Sequence, residues 1–155
     1  LIEQIDRIVR RDKDISWTIA NSRRTPEIFS QFVETRLKRK IVYWSDVNND
    51  WLENELAQCG FTWVTPDSIS MVYEALTTQG RVGIFDMKPL GGGGKVSSSI
   101  DRLVKAGRLG RSSLGSLLQQ LETFEPLQES HRCAQHIIDS WFKNSKNGYV
   151  NGTTA

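Results

Sequence analysis

Cysteine is nearly absent: Cys59 and Cys133 are the only two in 155 residues, and neither belongs to a CxxC pair. A disulfide framework and a zinc ribbon are therefore excluded, and a reducing compartment, the cytoplasm by default, is expected. No run approaches the roughly 18 consecutive apolar residues that a membrane span needs, and the opening residues carry no signal-peptide hydrophobic stretch. An excess of one charge is lacking too. Twenty Lys and Arg face 18 Asp and Glu, a formal net charge of +2, too little for the electrostatic footprint of a dedicated nucleic-acid binder. The glycine signatures of common nucleotide chemistry are also missing. No GxGxxG follows the first strand-like run, and Gly91-Gly92-Gly93-Gly94-Lys95 departs from the P-loop pattern, with Pro89 in place of its first Gly and Val96 in place of its hydroxyl. A P-loop kinase or ATPase and an ordinary NAD dehydrogenase are disfavoured.

What is present reads as one globular domain, with 38% hydrophobic and 25% charged residues. Ile2, Ile5, Ile8 and Val9 recur at helical spacing, and the chain enters this pattern at Leu1 without an initiator Met, so a piece of a longer protein is expected. Strands are expected at Ile15–Asn21, Ile41–Trp44, Phe61–Thr65 and Arg81–Met87. Between them lie a helix opened by a Thr25 cap and Pro26 at its first position, a short helix from Trp51 to Ala57, and a helix after Pro66-Asp67-Ser68 that runs to Gln79. A serine-capped helix from about Ser97 to Ala106 follows the glycine run. Beyond it Leu114, Leu117, Leu118 and Leu121, then Ala134, Ile137, Ile138 and Trp141, continue at helical spacing. Strands alternating with helices imply parallel βαβ units, hence an α/β, Rossmann-like doubly wound parallel sheet with helices on both faces. Residues 1–143 form that domain in this reading, and 144–155 a polar flexible tail.

In such sheets the ligand crevice lies outside the carboxyl ends of the strands, where helix N-termini offer N–H groups to anions. Three polar loops take that position: Asn21 to Thr25, Pro66 to Ser70, and Lys88 to Ser98. Their hydroxyls, arginines, glycines and lysine suit phosphate, although ordinary caps and turns use the same residues. At about 100° per residue Asp67, Ser70 and Glu74 share one helix face, opposite Ile69, Val72 and Leu76. Glu74 can thus accept from ribose hydroxyls with Ser68 and Ser70 near phosphate, and a solvated helix face is the plainer alternative. His131 points about 140–200° away from Cys133 and His136, so the three cannot converge on a metal. The run Arg36 to Lys40 can touch phosphate or make peripheral contact with an anionic membrane, but it also complements the dipole of its own helix, which is the reading preferred. The five Trp residues fit core better than base stacking.

Taken together, Ser22-Arg23-Arg24-Thr25-Pro26, the run Val64-Thr65-Pro66-Asp67-Ser68-Ile69-Ser70-Met71-Val72-Tyr73-Glu74-Ala75, Lys95, and Pro126-Leu127-Gln128-Glu129-Ser130 resemble the successive motifs of the mitochondrial-fission Elm-type family, from Leu1 to about Trp141. Its plant members are linked to mitochondrial division, and its bacterial members are catalogued as predicted nucleoside-diphosphate-sugar epimerases. The resemblance implies a two-domain GT-B glycosyltransferase architecture, with this chain as the C-terminal, nucleotide-sugar-binding half. It implies that Glu74 holds the donor ribose, that Ser22, Arg23, Arg24 and Thr25 lie near the donor phosphates, and that Asp67, Ser68, Ser70, Met71 and Lys95 line the crevice. A nucleoside diphosphate or nucleotide sugar is then the ligand, no tightly bound cofactor or metal is expected, and the missing N-terminal domain is the partner. A GT-B-shaped scaffold without catalysis is the second reading. An epimerase is the weaker third, since GxGxxG and YxxxK are absent. Asn49-Asp50-Trp51 stands where the family often has Asn-Pro-Tyr, and Thr78-Gln79-Gly80-Arg81-Val82 replaces a tighter Gly-x-Pro-Val turn.

Overall fold

The computed structural model describes residues 1–87, 95–115, 120 and 125–143. Its first helix follows from the apolar spacing. α1 (Ile2–Arg11) buries Ile5, Ile8 and Val9, carries Glu3 in its first turn and Arg10 and Arg11 in its last, and so agrees with its own dipole at both ends. β1 is short, Ile19–Ala20, because the chain turns and bends over Lys13 to Ile15 and Ser16 to Thr18 do not join the strand. α2 (Glu27–Arg36) begins one residue later than expected. Pro26 keeps an extended ψ of 139° as the N-cap and no side chain caps the helix; the Thr25 hydroxyl is occupied instead by the Ser22 N–H at 2.9 Å.

After α2 come β2 (Ile41–Val42), a 3-10 turn at Trp44–Asp46, α3 (Trp51–Gln58), β3 (Phe61–Val64), α4 (Ile69–Leu76) and β4 (Arg81–Ile84). α5 (Lys95–Lys105) leads to β5 (Gly110–Arg111), a strand the purely helical pattern beyond Ala106 did not suggest, and to a 3-10 turn at Ser112–Leu114. Trp44 therefore leaves the second strand, and α4 stops at Leu76, where the Thr77 and Thr78 hydroxyls turn back onto the Glu74 and Ala75 carbonyls at 2.7 and 2.8 Å. Such local hydroxyl bonds compete with continued helix. The glycine run and the segment holding Leu117, Leu118 and Leu121 lie outside the described residues, as does the 144–155 tail.

Every strand pair among the described residues is parallel, and the fold is α/β of the Rossmann-like kind. Ile19 pairs with Ile41 and Ala20 with Val42. Phe61 through Val64 pair with Arg81 through Ile84, and Gly83 and Ile84 pair with Gly110 and Arg111. The expected neighbouring of four strands in one continuous sheet is not met: the ladders are separate, β1-β2 and β3-β4-β5. Apolar packing joins what the ladders leave apart. Ile5, Ile8, Val9 and Phe85 form a buried cluster against which Trp17, Ile19, Phe29, Leu37 and Trp63 pack, so side chains from β1, α2 and β3 share one core. The Trp63 and Phe85 rings lie 5.7 Å apart between centroids. Alternation along β4 sends Val82 and Ile84 to the opposite face; both are buried, and α4, with buried Val72, Ala75 and Leu76, packs on β3 and β4.

The chain divides into two compact units, Leu1–Glu125 and Pro126–Ala155. The described strands all belong to the first. The second holds the helix Glu129–Ile137 and a π-helical turn, Ile138–Lys143. Among the described residues no helix is long and apolar enough to cross a membrane. The tryptophans divide in a way their number did not suggest. Trp17 and Trp63 pack on the core cluster, whereas Trp44 and Trp141 are exposed.

Candidate functional site

The loop after β1 is built by its own short polar side chains. Ser22 N–H donates to Thr25 Oγ1, Thr25 N–H returns to the Ser22 carbonyl at 3.0 Å, and Arg24 N–H reaches Ser22 Oγ at 3.3 Å. Serine and threonine hydroxyls favour such turns because they stand in for backbone partners. The turn leaves Arg23 and Arg24 exposed, and neither guanidinium makes an ion pair or hydrogen bond among the described residues. Two exposed guanidinium groups on a hydroxyl-rich turn can receive an anion with bidentate geometry.

Asn21, expected at the end of the first strand and the start of the polar loop but not among the ligand-binding residues, anchors this turn. Its N–H donates to the Val42 carbonyl at 3.1 Å, its Oδ1 accepts from Trp44 N–H at 2.8 Å, and its Nδ2 reaches Ser30 Oγ at 3.3 Å. Ser30 is buried inside α2. One side chain therefore ties the ends of β1 and β2 to α2, and a polar residue directly after a β-branched run was the available signal.

The second loop follows β3. Ser68 N–H closes a turn on the Thr65 carbonyl at 3.3 Å, and Ser68 takes the N-cap position of α4 without a capping hydrogen bond from its hydroxyl. The first N–H groups of α4 thus have no side-chain cap. Asp67, Ser70 and Glu74 are exposed, Ser68, Ile69 and Met71 half-buried, and Val72, Ala75 and Leu76 buried. The expected division of faces is present, with Ala75 joining the buried side. The Glu74 carboxylate makes no hydrogen bond or ion pair among the described residues. Lys95 begins α5, but its side chain and Gly91–Gly94 lie outside the described residues. No hydrogen bond or ion pair joins the Ser22–Thr25 loop to the Asp67–Ser70 loop among the described residues.

A second polar centre, which no local sequence pattern announces, surrounds Asp86 just past β4. Asp86 Oδ2 accepts from Ser112 Oγ at 2.9 Å and Ser113 N–H at 2.8 Å, and Oδ1 accepts from Arg111 Nη1 at 3.2 Å. Gln4 of α1 clasps the Asp86 backbone, accepting from its N–H at 2.9 Å and donating to its carbonyl at 2.8 Å, and also contacts Ser112 Oγ. Burial pushes the Asp86 carboxyl up, but the hydrogen bonds from Ser113, Ser112 and Arg111 outweigh it and hold the carboxyl below its ordinary value. A carboxylate so committed is an anchor and a poor proton acceptor. Cys59 is no better placed as a nucleophile, because burial and the nearby Glu55 charge push its thiol up.

No group of three or more His, Cys, Asp or Glu among the described residues is arranged to hold a metal. Cys133 and His136 share a shallow depression with Glu129 and Arg132, all on one helix.

A model of the family described as mitochondrial fission ELM1 matches residues 1–141. No curated protein and no solved structure matches the chain.

Proposed function

The chain belongs to the mitochondrial fission ELM1 family, and from that premise we propose that its first unit binds a nucleoside diphosphate or nucleotide sugar. In this reading it is the donor half of a GT-B-like glycosyltransferase. The observation that carries the reading is the position of the unpaired groups. Arg23 and Arg24, and the uncapped N-terminus of α4 with Ser68 and Ser70, each directly follow the carboxyl end of a parallel strand, where α/β sheets receive ligands. The diphosphate meets the guanidinium groups and helix N–H groups, and the Glu74 carboxylate accepts from the vicinal ribose hydroxyls. Asp67, Met71 and Lys95 complete the lining in this proposal. The ligand exchanges freely as a substrate does, and transfer takes place against a second domain.

Calorimetry of the chain with uridine, guanosine and cytidine diphosphates and their sugar conjugates tests this. Removing an acceptor of charge-assisted hydrogen bonds costs about 1.5–3 kcal/mol, so Glu74→Gln is expected to fold like the parent and bind about tenfold to a hundredfold more weakly. Glu53→Gln, exposed on α3, serves as the control and is expected to bind like the parent. Equal affinity in parent and Glu74→Gln removes the ribose role. No binding to any of these ligands favours the scaffold reading instead.

A further inference from the structure

We infer that Trp44 is the platform on which the planar base of a nucleoside diphosphate stacks, beside the loop whose arginines receive its phosphates; this rests on the donor-site reading above. A single exposed apolar side chain is ordinary on a protein surface, so exposure alone decides nothing. Three further features set Trp44 apart.

The first is contrast within the first unit: Trp17 and Trp63 pack on the core cluster, while Trp44 leaves 49% of its surface open. The second is fixation. The Trp44 backbone is not free to drift, because its N–H is held by Asn21 Oδ1 at 2.8 Å, and Asn21 is itself held by Val42 and the buried Ser30. A 3-10 turn at Trp44–Asp46 continues from that anchor, with Ser45 Oγ donating to Asp46 Oδ1 at 2.9 Å. The third is proximity. The same Asn21 is the residue immediately before Ser22-Arg23-Arg24-Thr25, so one hydrogen bond joins the Trp44 backbone to the start of the arginine loop.

Chemistry then selects the ligand. Two guanidinium groups receive an anion, and an indole face receives a flat π-system; a nucleotide presents both, separated by one ribose. Free phosphate or an acidic peptide would use the arginines alone and be indifferent to residue 44. Stacking tolerates any base because every base has a π-face, and purines, with the larger face, gain most.

The test is calorimetry on the full chain with guanosine diphosphate, uridine diphosphate and inorganic pyrophosphate, comparing the parent with Trp44→Ala and Trp44→Phe. We expect Trp44→Ala to bind both nucleoside diphosphates about fivefold to a hundredfold more weakly, with the larger loss for guanosine. Trp44→Phe recovers most of the affinity, and pyrophosphate affinity is the same in all three proteins. If Trp44→Ala binds the nucleoside diphosphates as well as the parent does, the platform is overturned while the donor reading stands. If Trp44→Ala weakens pyrophosphate equally, residue 44 acts on the fold of the loop and the platform is again overturned. A parent that binds none of the nucleoside diphosphates overturns both readings together.

Discussion

Lys38 illustrates how one residue can be held in a conformation its chemistry does not favour. It lies just beyond the end of α2 with φ of +49°, the left-handed region that L-residues enter at a cost of about 1–2 kcal/mol and that glycine commonly occupies past helix ends. Arg39 N–H turns back from it to the Val33 carbonyl at 3.4 Å. Lys38→Gly relieves the strain but frees the unfolded backbone, so a net gain of about 0.5–1 kcal/mol is expected, read as a higher urea midpoint at unchanged slope. A lower midpoint would show that the lysine side chain contributes more than its backbone costs. The structure also narrows the dipole account of the basic run: Arg36 sits in the last turn of α2, while Lys38, Arg39 and Lys40 lie beyond the helix.

At the scale of elements, the β3-β4 pair depends on a close backbone approach. A Cβ added at Gly80 would stand 2.4 Å from the Cys59 carbonyl oxygen, whereas one added at Gly60 meets nothing within 4 Å. Between these two turns, Arg81 N–H donates to the Gly60 carbonyl at 2.9 Å, the bond from which the parallel ladder starts. Gly80→Ala must therefore push the two strand beginnings apart. A loss of about 1–3 kcal/mol is expected, the usual cost of overpacking, against a change within about 0.5 kcal/mol for Gly60→Ala. Denaturation of the pair decides it; equal stabilities would mean that the turn yields without affecting the ladder.

Across the whole molecule, Asp86 connects segments far apart in the chain: Gln4 lies 82 residues before it and Ser112 26 after. Arg111 extends the network by pairing with Asp101 at 2.7 Å as well as Asp86 at 3.2 Å. The Asp86 carboxyl titrates below its ordinary value in the folded protein, so the unfolded state binds the proton more readily. The resulting stabilisation is complete above the unfolded-state pKa of about 3.9 and disappears as the pH falls through the lower folded value. Asp86→Asn is expected to lose about 1–3 kcal/mol at neutral pH, as hydrogen bonds to a charged group are removed, with the gap to the parent narrowing below about pH 4. Thermal melts at pH 7 and pH 3 measure both effects. A gap that does not change with pH would show that the carboxylate charge contributes nothing.

The division between sequence and tertiary structure follows from the range of the forces involved. Periodicity and turn chemistry act within a few residues, and they alone determined α1 from Ile5, Ile8 and Val9, the buried face of α4 from Val72 and Leu76, and the α/β class from strands parted by helices. The motifs Ser22 to Pro26 and Val64 to Ala75 likewise sufficed to place the chain in its family. Boundaries were less legible: β1 shrank to Ile19–Ala20, Trp44 left the second strand, and β5 at Gly110–Arg111 had no local pattern to announce it, because a two-residue strand exists only through its partner. Only the tertiary structure decided that the strands form two ladders joined by a common core, that Asn21 and Ser30 anchor the arginine loop, and that Asp86 is an internal anchor. Each of these depends on hydrogen bonds or packing between residues distant in the chain, and short-range spacing carries no record of such partners. The Trp44 indole is the sharpest case: its place in an expected strand argued for core, and only the fold could show which tryptophans the core had room to cover.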